Sequence, residues 1–211
     1  MSALTQLVRT LCAGDPAPEE AFAAAFAEVT AEVTAEVSAR GGTPAEIGAM
    51  LGSLAARMRA DDAVAFVRAC RTTQPPVPVP GGAKPSVNLV GTGGGRPTFN
   101  VSTTTAFLLA AAGVTVIKTG SGAYSGRSGF AETAAALGVL RNLDWPELLD
   151  VAQRVGMVLV HPSRYAPVLG TLALAIKPAS MKAVGGFVNA IGPLLAPVAV
   201  DHRVFGASSE R

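Results

Sequence analysis

Residues 86–120, SVNLVGTGGGRPTFNVSTTTAFLLAAAGVTVIKTG, constrain the fold more than any other stretch. A short β-rich run ends in a glycine turn, a helix with hydroxyls at its start follows, and a second apolar strand then carries Lys118 into another flexible turn, GSGAYSGRSG. MVLVH, residues 157–161, reads as a third strand. Strands alternating with helices predict a parallel α/β sheet whose carboxyl-end turns carry ligands. Glycines let the backbone approach an anion, and the unpaired N–H groups and dipole of a helix start attract one. The turn has neither the G-x-G-x-x-G spacing of dinucleotide folds nor the Lys-Ser/Thr ending of a P-loop. Phosphate binding and a purely structural tight turn both stay open on these residues alone.

The preceding residues read as helices. Leu4, Leu7, Val8 and Leu11 share one helical face. A second helix opens near Asp15 and its prolines, and the repeat AEVTAEVTAEVSA sets Val29, Val33 and Val37 on a drifting apolar stripe. Thr43, Pro44 and Glu46 form a capping-box start, and Asp61 and Asp62 open a further helix through Val64, Val67 and Cys70. These predict a helical domain over 1–72. The prolines and glycines of 73–86 then favour an extended linker.

Composition narrows the class. At 49% hydrophobic, 15% charged and mean hydropathy +0.39, the chain buries a core and is too apolar for disorder. A net charge of +2 from scattered Lys and Arg argues against a nucleic-acid partner. Cys12 and Cys70 form neither a disulfide framework nor a zinc pattern. With no secretory signal and no apolar run able to span a bilayer, a cytoplasmic protein without a membrane partner is expected.

VGTGGG, TFNVSTTTAFLLAAAGVTVIKTG, SGRSGFAETAAALGV and NAIGPLLAPV occur in an order that resembles the anthranilate phosphoribosyltransferases and, more distantly, the pyrimidine nucleoside phosphorylases. GGTPAEIGAMLGSLAARM is similar to the small domain of the same family, so the likeness covers essentially the whole chain. The resemblance implies an α/β fold of phosphoribosyltransferase type: a helical domain, then a shortened parallel-sheet domain over 87–211, with part of 162–190 free to return to the helices. It also implies phosphoribosyl pyrophosphate and Mg2+ in the cleft, where an amine attacks the anomeric carbon as pyrophosphate leaves. On this carry-over Gly91, Thr92, Gly93 and Gly94 lie against pyrophosphate, with Gly95 closing the turn. Asn100, Ser102 and Thr103 hold phosphate, Ser102 also touches the metal, and Lys118 neutralises charge. Gly120, Ser121 and Ser125 from the second turn, with Lys177 and Asn189, complete the candidate ligand set.

Departures from the family pattern shape the expected chemistry. Gly95 stands where the family has Asp, and Thr119, Gly120, Ser121 and Gly122 follow Lys118 where it has His-Gly-Asn-Arg. Gly170, Thr171 and Leu172 replace His-Pro-Ala, and the arginine that would hold the anthranilate carboxylate falls near Ser180, with Lys177 the nearest cation. Lysine is a poor substitute for a bidentate guanidinium, which disfavours anthranilate as acceptor. The polar finish DHRVFGASSER reads as a terminus ahead of the family's last strands and its Asp-Glu pair. Such shortening predicts a homodimer or a partner protein over the sheet.

Among single residues, His161 is a general acid or base, or a strand-end histidine bonded to backbone. Tyr124 stacks on a ligand or shields its turn. With Lys118 these are the catalytic candidates. Three functions follow from the resemblance and its departures: a repurposed enzyme of specialised metabolism with a less charged substrate, a phosphoribosyl or ribosyl transferase with an unusual acceptor, and a non-catalytic or partner-dependent subunit.

Overall fold

The computed structural model describes residues 1–34, 43–72, 77–79, 84–91, 100–120, 130–139, 143–179 and 184–206. In chain order the elements are α1 (Ala3–Ala13), α2 (Glu19–Thr34), α3 (Thr43–Arg57), α4 (Ala60–Thr72), β1 (Val77–Pro78), β2 (Ser86–Val90), α5 (Val101–Ala111), β3 (Thr115–Thr119), α6 (Phe130–Ala136), α7 (Trp145–Val155), β4 (Met157–Val160), α8 (Pro167–Ala175), α9 (Gly186–Ile191), β5 (Val198–Ala199) and β6 (His202–Phe205). Two short 3-10 turns, Pro162–Arg164 and Gly192–Leu195, follow β4 and α9. The chain divides into two compact units, Met1–Pro75 with Ala166–Leu195, and Pro76–Tyr165 with Ala196–Arg211.

The first unit is helical. Leu4, Leu7 and Leu11 of α1 are buried, as their spacing requires, and the Ser2 hydroxyl caps the helix by accepting from Thr5 N at 3.1 Å. Its core is aromatic. Phe66 meets Phe22, Phe26 and Phe187 edge-on, at centroid distances of 5.5, 4.8 and 5.4 Å. Phe187 belongs to α9, so the returning segment fills the same core as α2 and α4. Val29 of the repeat is buried, whereas Val37 lies outside the described residues.

Asp62 does more than open a helix. Its carboxylate is 1% exposed, accepts from Ala17 N at 3.1 Å and lies 3.6 Å from the Arg57 guanidinium. Arg57 in turn donates to the carbonyls of Leu11, Gly14 and Asp15 at the end of α1. A buried carboxylate persists because a cation and a backbone donor face it. Glu46, expected in a capping box, accepts from the Thr5 hydroxyl at 2.5 Å.

The second unit contains a parallel four-stranded sheet ordered β4–β3–β2–β6, the arrangement that strand–helix alternation demands. Val87 and Leu89 of β2, Val116 of β3, and Met157 and Leu159 of β4 share one face with Ala106 of α5 and Ala134 of α6. Asn88, Ile117, Thr119, Val158 and Val160 alternate onto the other. An Asp144–Glu147 capping box starts α7, and Gly156, at φ 82°, turns that helix directly into β4. Only a residue without a Cβ takes that conformation cheaply.

Within the proline-rich stretch, Val77–Pro78 is itself a strand, pairing parallel with Val198–Ala199. β6 pairs only with β2 among the described residues, and all four of its residues are exposed. It is pinned at its start by Asp201, which accepts from Ser86 N and Oγ at 2.8 Å each, and by Arg203, which donates to the carbonyls of Ala196 and Val198.

Candidate functional site

Of the expected site residues, Gly91 at the end of β2 and Ser102 at the start of α5 come close together, while Lys118 and Gly120 lie at the end of β3. Gly91 leaves β2 close to the start of α5. A Cβ placed on it would stand 3.4 Å from Ser102 Oγ, so the strand end and the helix start already lie within one van der Waals contact. The Asn100 side chain makes no capping bond to α5. Asn100 occupies the N-cap position but donates its amide to Thr133 Oγ1 of α6 at 2.5 Å. Thr103 N donates to the Asn100 carbonyl at 3.0 Å, and the N–H groups of Val101 and Ser102 have no partner among the described residues, an arrangement that favours an anion. Ser102 is half-buried and Thr103 buried.

Lys118 is a buried cation near the carboxyl end of β3. It is only 1% exposed, paired in register with Leu89, and on the sheet face shared with Val116. Its Nζ donates to the Thr119 carbonyl at 3.2 Å. Burial disfavours the ammonium and brings its pKa down to about 8. A cation kept in apolar surroundings gains most from a nearby negative charge.

Gly120 follows β3, its N–H donating to the Val160 carbonyl at 3.3 Å. His161 caps the 3-10 turn after β4: Nδ1 accepts from Ser163 N at 3.2 Å and lies 3.0 Å from Ser163 Oγ. That bonding to backbone is the structural alternative raised for a strand-end histidine. Thr92, Gly93, Gly94, Gly95, Ser121, Tyr124 and Ser125 lie outside the described residues. Lys177 and Asn189 belong to the helical unit, Lys177 exposed just after α8 and Asn189 half-buried on α9.

Sequence reasoning missed two features. Asn88, Thr119 and Tyr165 form a buried polar group on the opposite sheet face. The only sequence signal was an Asn inside the apolar run SVNLV. Between α5 and α6 lies a depression of about 350 Å³, polar at Asn100 and Thr133 and apolar along Phe107, Leu108 and Leu137.

Among the described residues no group of three or more His, Cys, Asp or Glu side chains converges. Ser102 and Thr103 of α5 offer hydroxyls. Those donors fit a magnesium ion only as the companion of a ligand that brings its own oxygens.

Known proteins share this architecture. The model of the glycosyl transferase family, a/b domain, matches residues 83–211. Anthranilate phosphoribosyltransferase of Thermomicrobium roseum is 35% identical over 168 residues, covering 79% of this chain and 47% of that protein. The enzyme of an Anaeromyxobacter species is 36% identical over 177 residues, covering 81% and 50%. The chain thus spans about half the length of the curated relatives it matches. The anthranilate phosphoribosyltransferase structure from Thermus thermophilus matches all of this chain and 59% of its own, at TM-score 0.71 and 27% identity. The Saccharomyces cerevisiae enzyme in complex with PRPP and Mg shares the fold at TM-score 0.81 and 20% identity, over 98% of this chain and 59% of its own. The matched α/β domain, the parallel sheet and the glycine turn converge on one conclusion: the chain belongs to the glycosyl transferase family, as an anthranilate phosphoribosyltransferase-like member.

Proposed function

We propose that this protein binds a pyrophosphorylated sugar at the carboxyl ends of β2 and β3 and serves glycosyl transfer to a small acceptor less charged than anthranilate. The observation that carries the reading is Lys118, buried at the end of β3 with its pKa brought down to about 8. Keeping an ammonium there costs stability, and a bound pyrophosphate would offset that cost by Coulombic attraction in a weakly screened site. The uncapped start of α5 supplies backbone donors to the same anion. In the transfer, the acceptor's lone pair forms the new bond to the anomeric carbon while the carbon–oxygen bond to pyrophosphate breaks. Lys118 and the helix start would stabilise the charge that grows on the departing group. Magnesium, where it accompanies the pyrophosphate, would add charge neutralisation, with Ser102 the hydroxyl that the resemblance assigns to it. The acceptor preference rests on the sequence departures, Gly95 for Asp and Lys177 near the place of an arginine, which fit a repurposed member of specialised metabolism.

The test is calorimetric titration of phosphoribosyl pyrophosphate into the purified chain, with and without magnesium. Magnesium-dependent binding that Lys118→Met removes is the expected result, and no binding at millimolar ligand would refute the reading.

A second reading, a partner-dependent subunit or homodimer, is favoured by β6. An edge strand with all four residues exposed, Val204 and Phe205 among them, is a template for another strand. Sedimentation at micromolar concentration should then show an assembly, and a monomer that binds no hydrophobic dye would count against it.

A further inference from the structure

The sheet face opposite Lys118 carries a buried polar group that the proposed chemistry leaves unused. Asn88 is fully buried in the middle of β2, Thr119 is 1% exposed at the end of β3, and Tyr165 is 4% exposed just beyond the 3-10 turn that follows β4. The Asn88 amide spends both protons on β3, donating to the Ile117 carbonyl at 2.8 Å and to Thr119 Oγ1 at 3.1 Å. A carbonyl can only accept, which fixes the nitrogen on that side and leaves Asn88 Oδ1 without a hydrogen-bond partner among the described residues. Thr119 Oγ1, having accepted from Asn88, keeps one proton, and its side chain is hydrogen-bonded to the Tyr165 hydroxyl. Burial, opposed by that bond, holds the Tyr165 phenol well above its usual range, so it stays a neutral partner.

This is an expensive arrangement for a sheet core. An unpaired buried acceptor costs about 1–3 kcal/mol, and apolar residues at 88 and 119 would avoid it. The cross-links sit where the strands become turns: Asn88 is three residues before Gly91, and Thr119 immediately precedes Gly120. Gly120 N is itself tied to the Val160 carbonyl of β4 at 3.3 Å. We infer that Asn88, Thr119 and Tyr165 are positioning residues: a hydrogen-bonded spine across β2, β3 and the turn after β4 that holds the strand ends at Gly91 and Gly120 in place for a pyrophosphate. The ligand part of this inference rests on the anion-binding reading above, whereas the positioning part does not.

The test uses the full chain with Thr119→Val, which keeps shape and removes the hydroxyl, and Thr119→Ser, which restores the hydroxyl and removes a methyl. Backbone amide hydrogen exchange is read at Gly91 and Gly120, and affinity is read with inorganic pyrophosphate and magnesium. Thr119→Val should speed exchange at Gly120 about tenfold and weaken pyrophosphate about tenfold, while Thr119→Ser stays near wild type in both. Unchanged Gly120 exchange in Thr119→Val, or equal losses in the two variants, overturns the inference, the second outcome assigning the effect to packing. Should Thr119→Val fail to fold, Tyr165→Phe removes one bond at constant shape and must raise Gly120 exchange; no rise overturns the inference as well. If wild type binds no pyrophosphate, the anion-binding reading fails and the exchange arm still decides the spine.

Discussion

Replacing Lys118 by Met separates what the residue costs the fold from what it gives a ligand. Burial brings the folded amine down to about 8, against an ordinary lysine value of 10.5. At about 1.4 kcal/mol per pH decade, that difference is a charging cost of about 3 kcal/mol at neutral pH. Methionine has similar length and no charge, and it forgoes the bond to the Thr119 carbonyl, an offset of about 1 kcal/mol. Lys118→Met should therefore be more stable than wild type by about 2 kcal/mol at neutral pH, a rise in Tm of about 4–8 °C. The sign follows from proton counts. Between about 8 and 10.5 the unfolded chain holds the proton and the folded one does not, so wild-type stability climbs with pH; below about 8 both hold it and the full cost is carried. Urea titrations at neutral pH and near 10 should show the advantage of the variant shrinking. The same variant should lose affinity for pyrophosphate. For the wild type, affinity for sulfate, whose charge is constant through this range, should fall as pH rises past about 8. A variant destabilised at neutral pH, or a stability difference that ignores pH, would refute the reasoning.

Two further predictions concern the helical unit. Phe66→Ala removes the ring that meets Phe22, Phe26 and Phe187 and should cost about 3–5 kcal/mol, read as a lower urea midpoint with loss of near-ultraviolet signal; a cost below about 1 kcal/mol would show that the aromatic cluster is not the core. Asp62→Ala strips the acceptor from Ala17 N and the partner from Arg57, and should cost about 2–3 kcal/mol, with faster amide exchange at Ala17 as the local signature.

Local rules made much of the fold legible. The apolar spacing of Leu4, Leu7 and Leu11 gave α1, and Asp61 marked the start of α4. The strand–glycine–helix alternation gave a parallel sheet, because only a crossover helix joins parallel neighbours. The order of the turn residues and Lys118 along the chain, with the resemblance it carries, is what raised them as candidates for an anion site.

What the chain's order left open was decided by contacts far apart in sequence. Nothing local assigns Phe187 to the core of α2 and α4, or aims Arg57 at both Asp62 and the end of α1. Nothing local could show that Asn88 spends its amide on β3, that Thr119 joins it to Tyr165, or that Lys118 is sealed from water. A side chain's spacing tells which face of an element it occupies; its charge state and its partners depend on what other elements lay against that face, and so belong to the tertiary structure.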